Sequence, residues 1–403
     1  MATADPSTYF RKGFGLKSEV QEELTADYSG RIVDRMRAED YTLTVGDVAF
    51  RLAREFGFCY GVERAVEYAY QTRRKFPDRN IYLVGEIIHN PHVNARLREM
   101  GIRILMPRDG RFDFSGITPD DVVILPAFGV TIHDFEHLRG VGCILVDTTC
   151  GSVLNVWKRV ESYARDGFTS LIHGKHYHEE TRATASQARK HQGHYLVVRD
   201  MAEVQLVVDF IEGRATAATM LEQLGHAASP EFDPARDLRR IGVANQTTML
   251  ARESLAIGAA VGDAIGRARG EDAHVKDFRT FDTICSATQE RQDAVEELLR
   301  EPLDTMVVIG GFNSSNTISL AALCAEHVKT YHVESPEGID VDAGSVRHRL
   351  PGPKHHEATT PEWLGHGAIR IGITAGASTP NSKIGEAVMR ILATRGLELP
   401  DVA

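Results

Sequence analysis

Arg54-Glu55-Phe56-Gly57-Phe58-Cys59-Tyr60-Gly61-Val62-Glu63-Arg64 is the stretch from which the rest of the chain can be read. An apolar run (Val48, Phe50, Leu52) precedes it. After it, Val62, Ala65, Val66, Ala69 and Tyr70 fall at helical spacing and form one apolar stripe. The local reading is strand, tight turn carrying a cysteine, then helix. A thiol at a helix N-terminus feels the positive end of the dipole, which favours thiolate and suits a metal ligand or a nucleophile. For one thiol alone, a small hydrophobe packed in the core is the plainer reading. Recurrence changes that balance.

The same element order appears three times from residue 46 onward, with little identity between copies. The cysteine turn returns as CILVDTTCGSVLNVWKRV around Cys150 and as FRTFDTICSATQERQDAVEELL around Cys285. Next comes an apolar strand running into a polar loop: IYLVGEIIHNPHVN, TSLIHGKHYHEETRAT and MVVIGGFNSSNTIS. A short strand after a helix follows: IRILMP, YLVVRD and TYHVES. Last is a strand ending in a small, hydroxyl-rich turn: VVILPAFGVTIHDF, IGVANQTTMLARES and IRIGITAGASTPNSKIGEA. Continuous apolar strands alternating with helices imply parallel sheets covered on both faces. The expected fold is therefore α/β, with three similar units of mainly parallel sheet at 46–143 (Cys59), 144–276 (Cys150) and 277–395 (Cys285). The expected arrangement is pseudo-threefold around a central cavity, with the C-terminal end packing back on the first unit. Ligands in such sheets collect at the carboxyl ends of strands, against helix N-termini, where every distinctive polar loop lies.

Residues 1–45 read as an extension of short amphipathic helices, with Val20, Leu24, Ile32, Val33 and Met36 as packing positions. Two insertions, 209–240 and 343–365, exceed ordinary loop length and read as lids or mobile decoration. Over 403 residues, 42% hydrophobic content supports two or three domains with real cores. No apolar run approaches a membrane span, and the first twenty residues carry no signal-peptide core, so a cytoplasmic location is expected. A net charge of −10 argues against broad nucleic-acid or membrane-surface binding but leaves room for a local phosphate site. Five cysteines in a reducing compartment point to metal binding, catalysis or burial rather than disulfides.

Close CxxC pairs typical of structural zinc are absent. Three cysteines holding a four-iron cluster, one iron left open for substrate, suit the spacing better. Cys143 and Cys324 read as core. The strand ends supply His89, His92, His173, His176, His178, Glu179, Glu180, Thr247, Thr248, Asn313, Ser314, Ser315, Asn316, Thr374, Ser378 and Thr379. Imidazoles, hydroxyls and amides at helix N-termini describe a phosphate pocket built mostly from neutral donors, Lys175 and Arg182 excepted. The bland reading of HGKHYHEE is a solvated loop or an adventitious metal tract. A buried Glu180 near a cluster would suit acid–base work.

The stretches GFCYGVERA, IIHNPHV, DTTCGSV, HEETRAT, NQTT, TICSATQERQ, NSSNT and TAGAST stand in family order from about residue 46 to about 390. In them the chain resembles the 4-hydroxy-3-methylbut-2-enyl diphosphate reductases, which close the methylerythritol phosphate route to isoprenoids. The extension and insertions resemble the longer branch found in cyanobacteria and plants. The resemblance implies one [4Fe-4S] cluster held by Cys59, Cys150 and Cys285. It implies diphosphate contacts from His89, His178, Ser314, Asn316 and Ser378, with Ser315 beside them. Glu180 matches the proton-delivering carboxylate, and Thr247 the hydroxyl that places the substrate alcohol. One position departs from the shorter bacterial pattern: Phe128 stands before Gly129-Val130 where those enzymes carry histidine, so that contact is lost or passes to a neighbour such as His133.

The implied reaction is a two-electron reductive dehydroxylation giving isopentenyl and dimethylallyl diphosphate. Electrons would come from a small acidic carrier such as ferredoxin or flavodoxin, docking on a local basic patch. The residues alone leave three rivals: a cluster-dependent hydro-lyase needing no external electrons, a cluster-based sensor with a phosphate-ligand pocket, and a plain scaffold with buried thiols.

Overall fold

A computed structural model describes residues 8–352 and 355–399. Residues 1–7 of the expected extension and 353–354 of the second insertion lie outside that description. All twelve strands of the repeat form where the apolar runs place them. They belong to three sheets, which fall in two compact units.

The first unit comprises the described residues 8–11, 79–85 and 103–285 and contains two sheets. In one, the order is Tyr9–Phe10, Ile144–Asp147, Val122–Leu125, Ile81–Val84, Ile102–Leu105. In the other it is Phe278–Thr280, Ile241–Asn245, Thr169–His173, Tyr195–Val198, with every pairing parallel. Strands Thr169–His173 and Ile241–Asn245 are buried at every position, as the continuous apolar runs require of a sheet covered on both faces.

The second unit comprises the described residues 12–78, 86–102, 286–352 and 355–399. Its sheet has a parallel centre, Thr330–Val333, Thr305–Ile309, Ile369–Ala375 and Val48–Leu52. Antiparallel additions flank that centre. The C-terminal strand Ile369–Ala375 thus pairs directly with the strand that leads to Cys59.

Sheet membership is out of step with the sequence repeat. The strand before Cys150 belongs to the sheet of the preceding repeat, while its helix, Gly151–Arg165, packs on the next sheet, against Ile241–Asn245 and Thr169–His173. The strand before Cys285 likewise joins the second sheet, and the helix that follows, Ser286–Leu298, lies in the second unit.

Both insertions are packed structure rather than loose decoration. In 209–240, the helix Ala217–Leu224 buries Met220 and Leu224 in the core that Val204, Val207 and Leu238 share. In 343–365, Ser345–Arg349 and Glu357–Pro361 make an antiparallel hairpin on the sheet edge, and Trp363 and Leu364 enter the core. The extension forms helices Lys17–Tyr28 and Arg31–Ala38, with Val20, Val33 and Met36 buried. It also supplies two strands its helical pattern did not announce, Tyr9–Phe10 and Thr42–Val45. Among the described residues, no helix is long and apolar enough to cross a membrane.

Candidate active site

In the first unit, the polar loop after Thr169–His173 ends at His178, the N-cap of helix Glu179–Lys190. Its Nδ1 accepts from the Glu180 amide at 3.2 Å. An accepting Nδ1 leaves the neutral ring's proton on Nε2, so His178 presents a donor there. The Glu180 side chain is 2% exposed, and its Oε1 accepts from the Thr247 amide at 2.6 Å. The Thr247 carbonyl in turn accepts from the Cys285 amide at 3.3 Å. The Cys150 amide donates to the Ala127 carbonyl at 2.9 Å, and the neighbouring Phe128 ring meets His178 edge-on, centroids 5.9 Å apart. This unit therefore joins Cys150, Phe128, His178, Glu180, Thr247 and Cys285 in one contiguous cluster.

In the second unit, Gly57 takes φ +70°, and a Cβ there would meet Asn381 Oδ1 at 2.9 Å, so the turn before Cys59 requires glycine. Cys59 is the N-cap of helix Tyr60–Lys75, and its amide donates to the Ala377 carbonyl at 3.2 Å. The Ala377 amide donates to Asn316 Oδ1 at 2.8 Å, and Asn316 Nδ2 reaches Thr288 Oγ1 at 3.5 Å. Ser314 caps helix Ser315–Ala325, so Ser315 and Asn316 occupy its first turn, and all three are buried. Ser378 Oγ donates to the His89 carbonyl at 3.2 Å, and His89 Nδ1 lies 3.0 Å from Glu86 Oε2. A Cβ on Gly311 would fall 2.5 Å from that same carbonyl, so the NSSNT loop approaches His89 as closely as backbone allows. Cys59, His89, Ser314, Ser315, Asn316 and Ser378 are thus gathered around strand ends and helix N-termini, the setting in which backbone N–H groups bind anions.

Other candidates resolve differently. His173 is fully buried, with Nδ1 2.8 Å from Ser254 Oγ, and burial pushes its pKa down to about 4. It is a core histidine rather than a phosphate donor. His133 is 88% exposed beside Asp134, so it does not replace the donor that Phe128 lacks. His176 packs on His226, and His92 meets Tyr28 edge-on, each with its pKa lowered chiefly by burial.

The donor set fits an iron–sulfur cluster. None of the five cysteines is in a disulfide. Cys143 and Cys324 are fully buried, which pushes them up to about 11 and about 12 and makes them inert. Cys59, Cys150 and Cys285 are only half-buried, and each immediately precedes a helix.

The model of the LytB protein family matches residues 50–392. The chain belongs to the LytB family. Within it, the 4-hydroxy-3-methylbut-2-enyl diphosphate reductase of Thermosynechococcus vestitus is 46% identical over 391 residues, 96% of this chain and 95% of the relative. The enzyme so named from Gloeobacter violaceus is also 46% identical, covering 96% and 93%. A solved structure of (E)-4-hydroxy-3-methyl-but-2-enyl diphosphate reductase, described as the terminal enzyme of the non-mevalonate pathway, aligns with TM-score 0.51 and 28% identity, over 86% of this chain and 99% of its own. A second, the Plasmodium falciparum E-1-hydroxy-2-methyl-but-2-enyl-4-diphosphate reductase, shares the fold at TM-score 0.62 and 20% identity, over 84% and 86%.

Several residues that build this LytB site carried no role in the sequence reading. Gln246 Oε1 accepts from the Lys175 amide and from Thr181 Oγ1, both at 3.1 Å, and its Nε2 donates to Thr248 Oγ1. It thereby locks NQTT against HEET. Asn94 donates to the Ile88 and Asn90 carbonyls and accepts from the Ile87 amide, fixing the His89 loop. The signal for Asn94 was a buried amide on an otherwise apolar helix face; for Gln246 it was membership of a quoted motif.

Proposed function

We propose that this chain is an iron–sulfur oxidoreductase of the non-mevalonate route, converting (E)-4-hydroxy-3-methylbut-2-enyl diphosphate to isopentenyl and dimethylallyl diphosphate. The overall change consumes two electrons and two protons and releases the allylic hydroxyl as water. Identity of 46% to enzymes so named, along nearly the whole chain, supports the activity. The observation that carries the chemistry is the link Glu180–Thr247–Cys285, which ties a buried acid to the backbone of a half-buried cysteine through two hydrogen bonds.

Cys59, Cys150 and Cys285 are the proposed ligands of one [4Fe-4S] cluster per chain. When bound, the cluster supplies electron transfer and Lewis acidity toward the substrate hydroxyl. The protein supplies position and protons. His178 Nε2–H, His89, Ser314, Ser315, Asn316 and Ser378 bind the diphosphate; a histidine donor and a helix N-terminus together do the work of basic side chains, of which these loops carry few. Glu180 Oε1 is committed to the Thr247 amide, so the proton that it delivers to the departing oxygen is carried on Oε2. Thr247 Oγ1 orients the alcohol. Exclusion of water by the buried cluster around Glu180 strengthens each of these contacts. A ferredoxin- or flavodoxin-like carrier is the proposed electron donor.

The test is anaerobic purification, iron and sulfide analysis, and an assay on the hydroxylated diphosphate with and without reductant. Brown protein that turns over only with reductant is expected. Turnover without reductant would select a hydro-lyase instead, and colourless protein would remove the cluster altogether.

A further inference from the structure

Helix Ser286–Leu298 carries Arg291, a side chain the reaction above does not use. It is 3% exposed. Among the described residues no carboxylate lies within ion-pair distance of it, and its Nε has no hydrogen-bond partner. Two backbone carbonyls hold the guanidinium, Gly57 through Nη2 and Ala287 through Nη1, each at 2.7 Å. Gly57 stands two residues before Cys59, and Ala287 two residues after Cys285. The charge therefore bridges the turn before Cys59 and the first turn of the helix that follows Cys285.

A buried cation without an anion is expensive, because carbonyl dipoles only partly replace the lost hydration. Removing such a group from a protein core is often neutral or stabilising. Its presence against the Gly57 carbonyl, two residues before Cys59, makes sense if an anion completes the site. Thiolates around an iron–sulfur core are that anion, and net charge and nearby electrostatics are established levers on cluster potential.

We propose that Arg291 is the built-in counter-cation of the cluster: a positioning residue that grips the Gly57 carbonyl and favours the more negative, reduced state. The inference rests on the assignment of Cys59 and Cys285 as ligands. Each electron that enters from the external donor adds one negative charge, so a fixed positive charge nearby raises the reduction potential. In the cluster-free chain the same charge is uncompensated and contributes nothing favourable.

The experiment compares the parent with Arg291→Met and Arg291→Lys by potentiometric titration of the reconstituted cluster and by thermal unfolding of the cluster-free chain. Arg291→Met is expected to shift the potential to more negative values while leaving the unfolding temperature of the cluster-free chain unchanged or higher. Arg291→Lys, which keeps the charge and loses the forked grip, is expected to stay near the parent potential. An unmoved potential in Arg291→Met would overturn the proposal. So would an equal shift in both variants, or a cluster-free Arg291→Met chain that cannot fold, since each makes Arg291 a hydrogen-bonding brace. Cys59→Ser is run in parallel: full retention of iron there removes the ligand assignment and the proposal with it. Loss of iron together with an unmoved Arg291→Met potential removes the proposal alone.

Discussion

Glu179 and Glu180 are neighbours in sequence; Glu180 is the fully buried one, and the Thr247 amide donates to its carboxylate. Glu180→Gln keeps the volume and the amide contact but removes the transferable proton. It should lower turnover by about 10² or more, the usual worth of a placed acid, with the cluster spectrum intact. Unchanged turnover would take Glu180 out of the mechanism. Phe128 acts at one remove, through its edge contact with His178. An aromatic pair of this kind contributes about 0.5–1.5 kcal/mol. Phe128→Ala should therefore raise KM for the diphosphate roughly fivefold and change kcat little; an unchanged KM would leave Phe128 a packing residue. Cys150→Ser should lose iron, and a fully loaded, active Cys150→Ser protein would refute its place among the ligands.

At the scale of elements, the extension is an anchor. Asp27, at the end of helix Lys17–Tyr28, accepts from the Tyr70 hydroxyl at 2.5 Å and from Arg96 Nε at 2.9 Å, while its carbonyl accepts from Ser382 Oγ at 3.2 Å. Tyr70, Arg96 and Ser382 lie on the helices that follow Cys59, His89 and Ser378, respectively. Tyr28 adds a ring contact with Phe58, centroids 5.4 Å apart. Asp27→Ala leaves the Tyr70 hydroxyl with Tyr28 and Arg96 with Glu99. It should cost about 1–3 kcal/mol of stability, read as a lower denaturation midpoint at unchanged slope. A midpoint within error of the parent would show that the extension is held by its apolar contacts alone. The apolar stripe Val20, Val33, Met36 announced that the extension packs; where it packs depended on partners distant in the chain.

For the whole molecule, each compact unit buries a neutral histidine. His173 and His332 are each pushed down to about 4 from an ordinary 6.5, in both cases chiefly by burial. Below pH 6.5 the unfolded chain binds protons at these rings and the native chain does not. Stability is therefore fully present above about 6.5 and is lost as pH falls toward about 4. Denaturant titrations at successive pH values should show that loss, and His332→Gln should flatten it; an equal slope in the variant would assign the effect to other groups. Local signals had made much of this molecule legible. Strand runs, helix stripes and cysteine turns all depend on neighbours within a few residues, so periodicity alone located the twelve strands, and motif order picked out the loops of the candidate site. Gln246, Asn94 and Arg291 were not legible in that way, because their roles come from carbonyls and hydroxyls that are remote in sequence. The two long insertions misled for the same reason: length suggested mobility, while Met220, Leu224, Trp363 and Leu364 bury themselves in cores assembled from other segments. By itself the sequence determined an α/β chain of three strand–cysteine–helix repeats, since both periods are local properties of the backbone. Only the tertiary structure decided which sheet each cysteine-bearing strand joins, because strand pairing is a hydrogen-bond choice between distant segments. It also decided that the turn before Cys59 closes on a buried arginine held by backbone carbonyls.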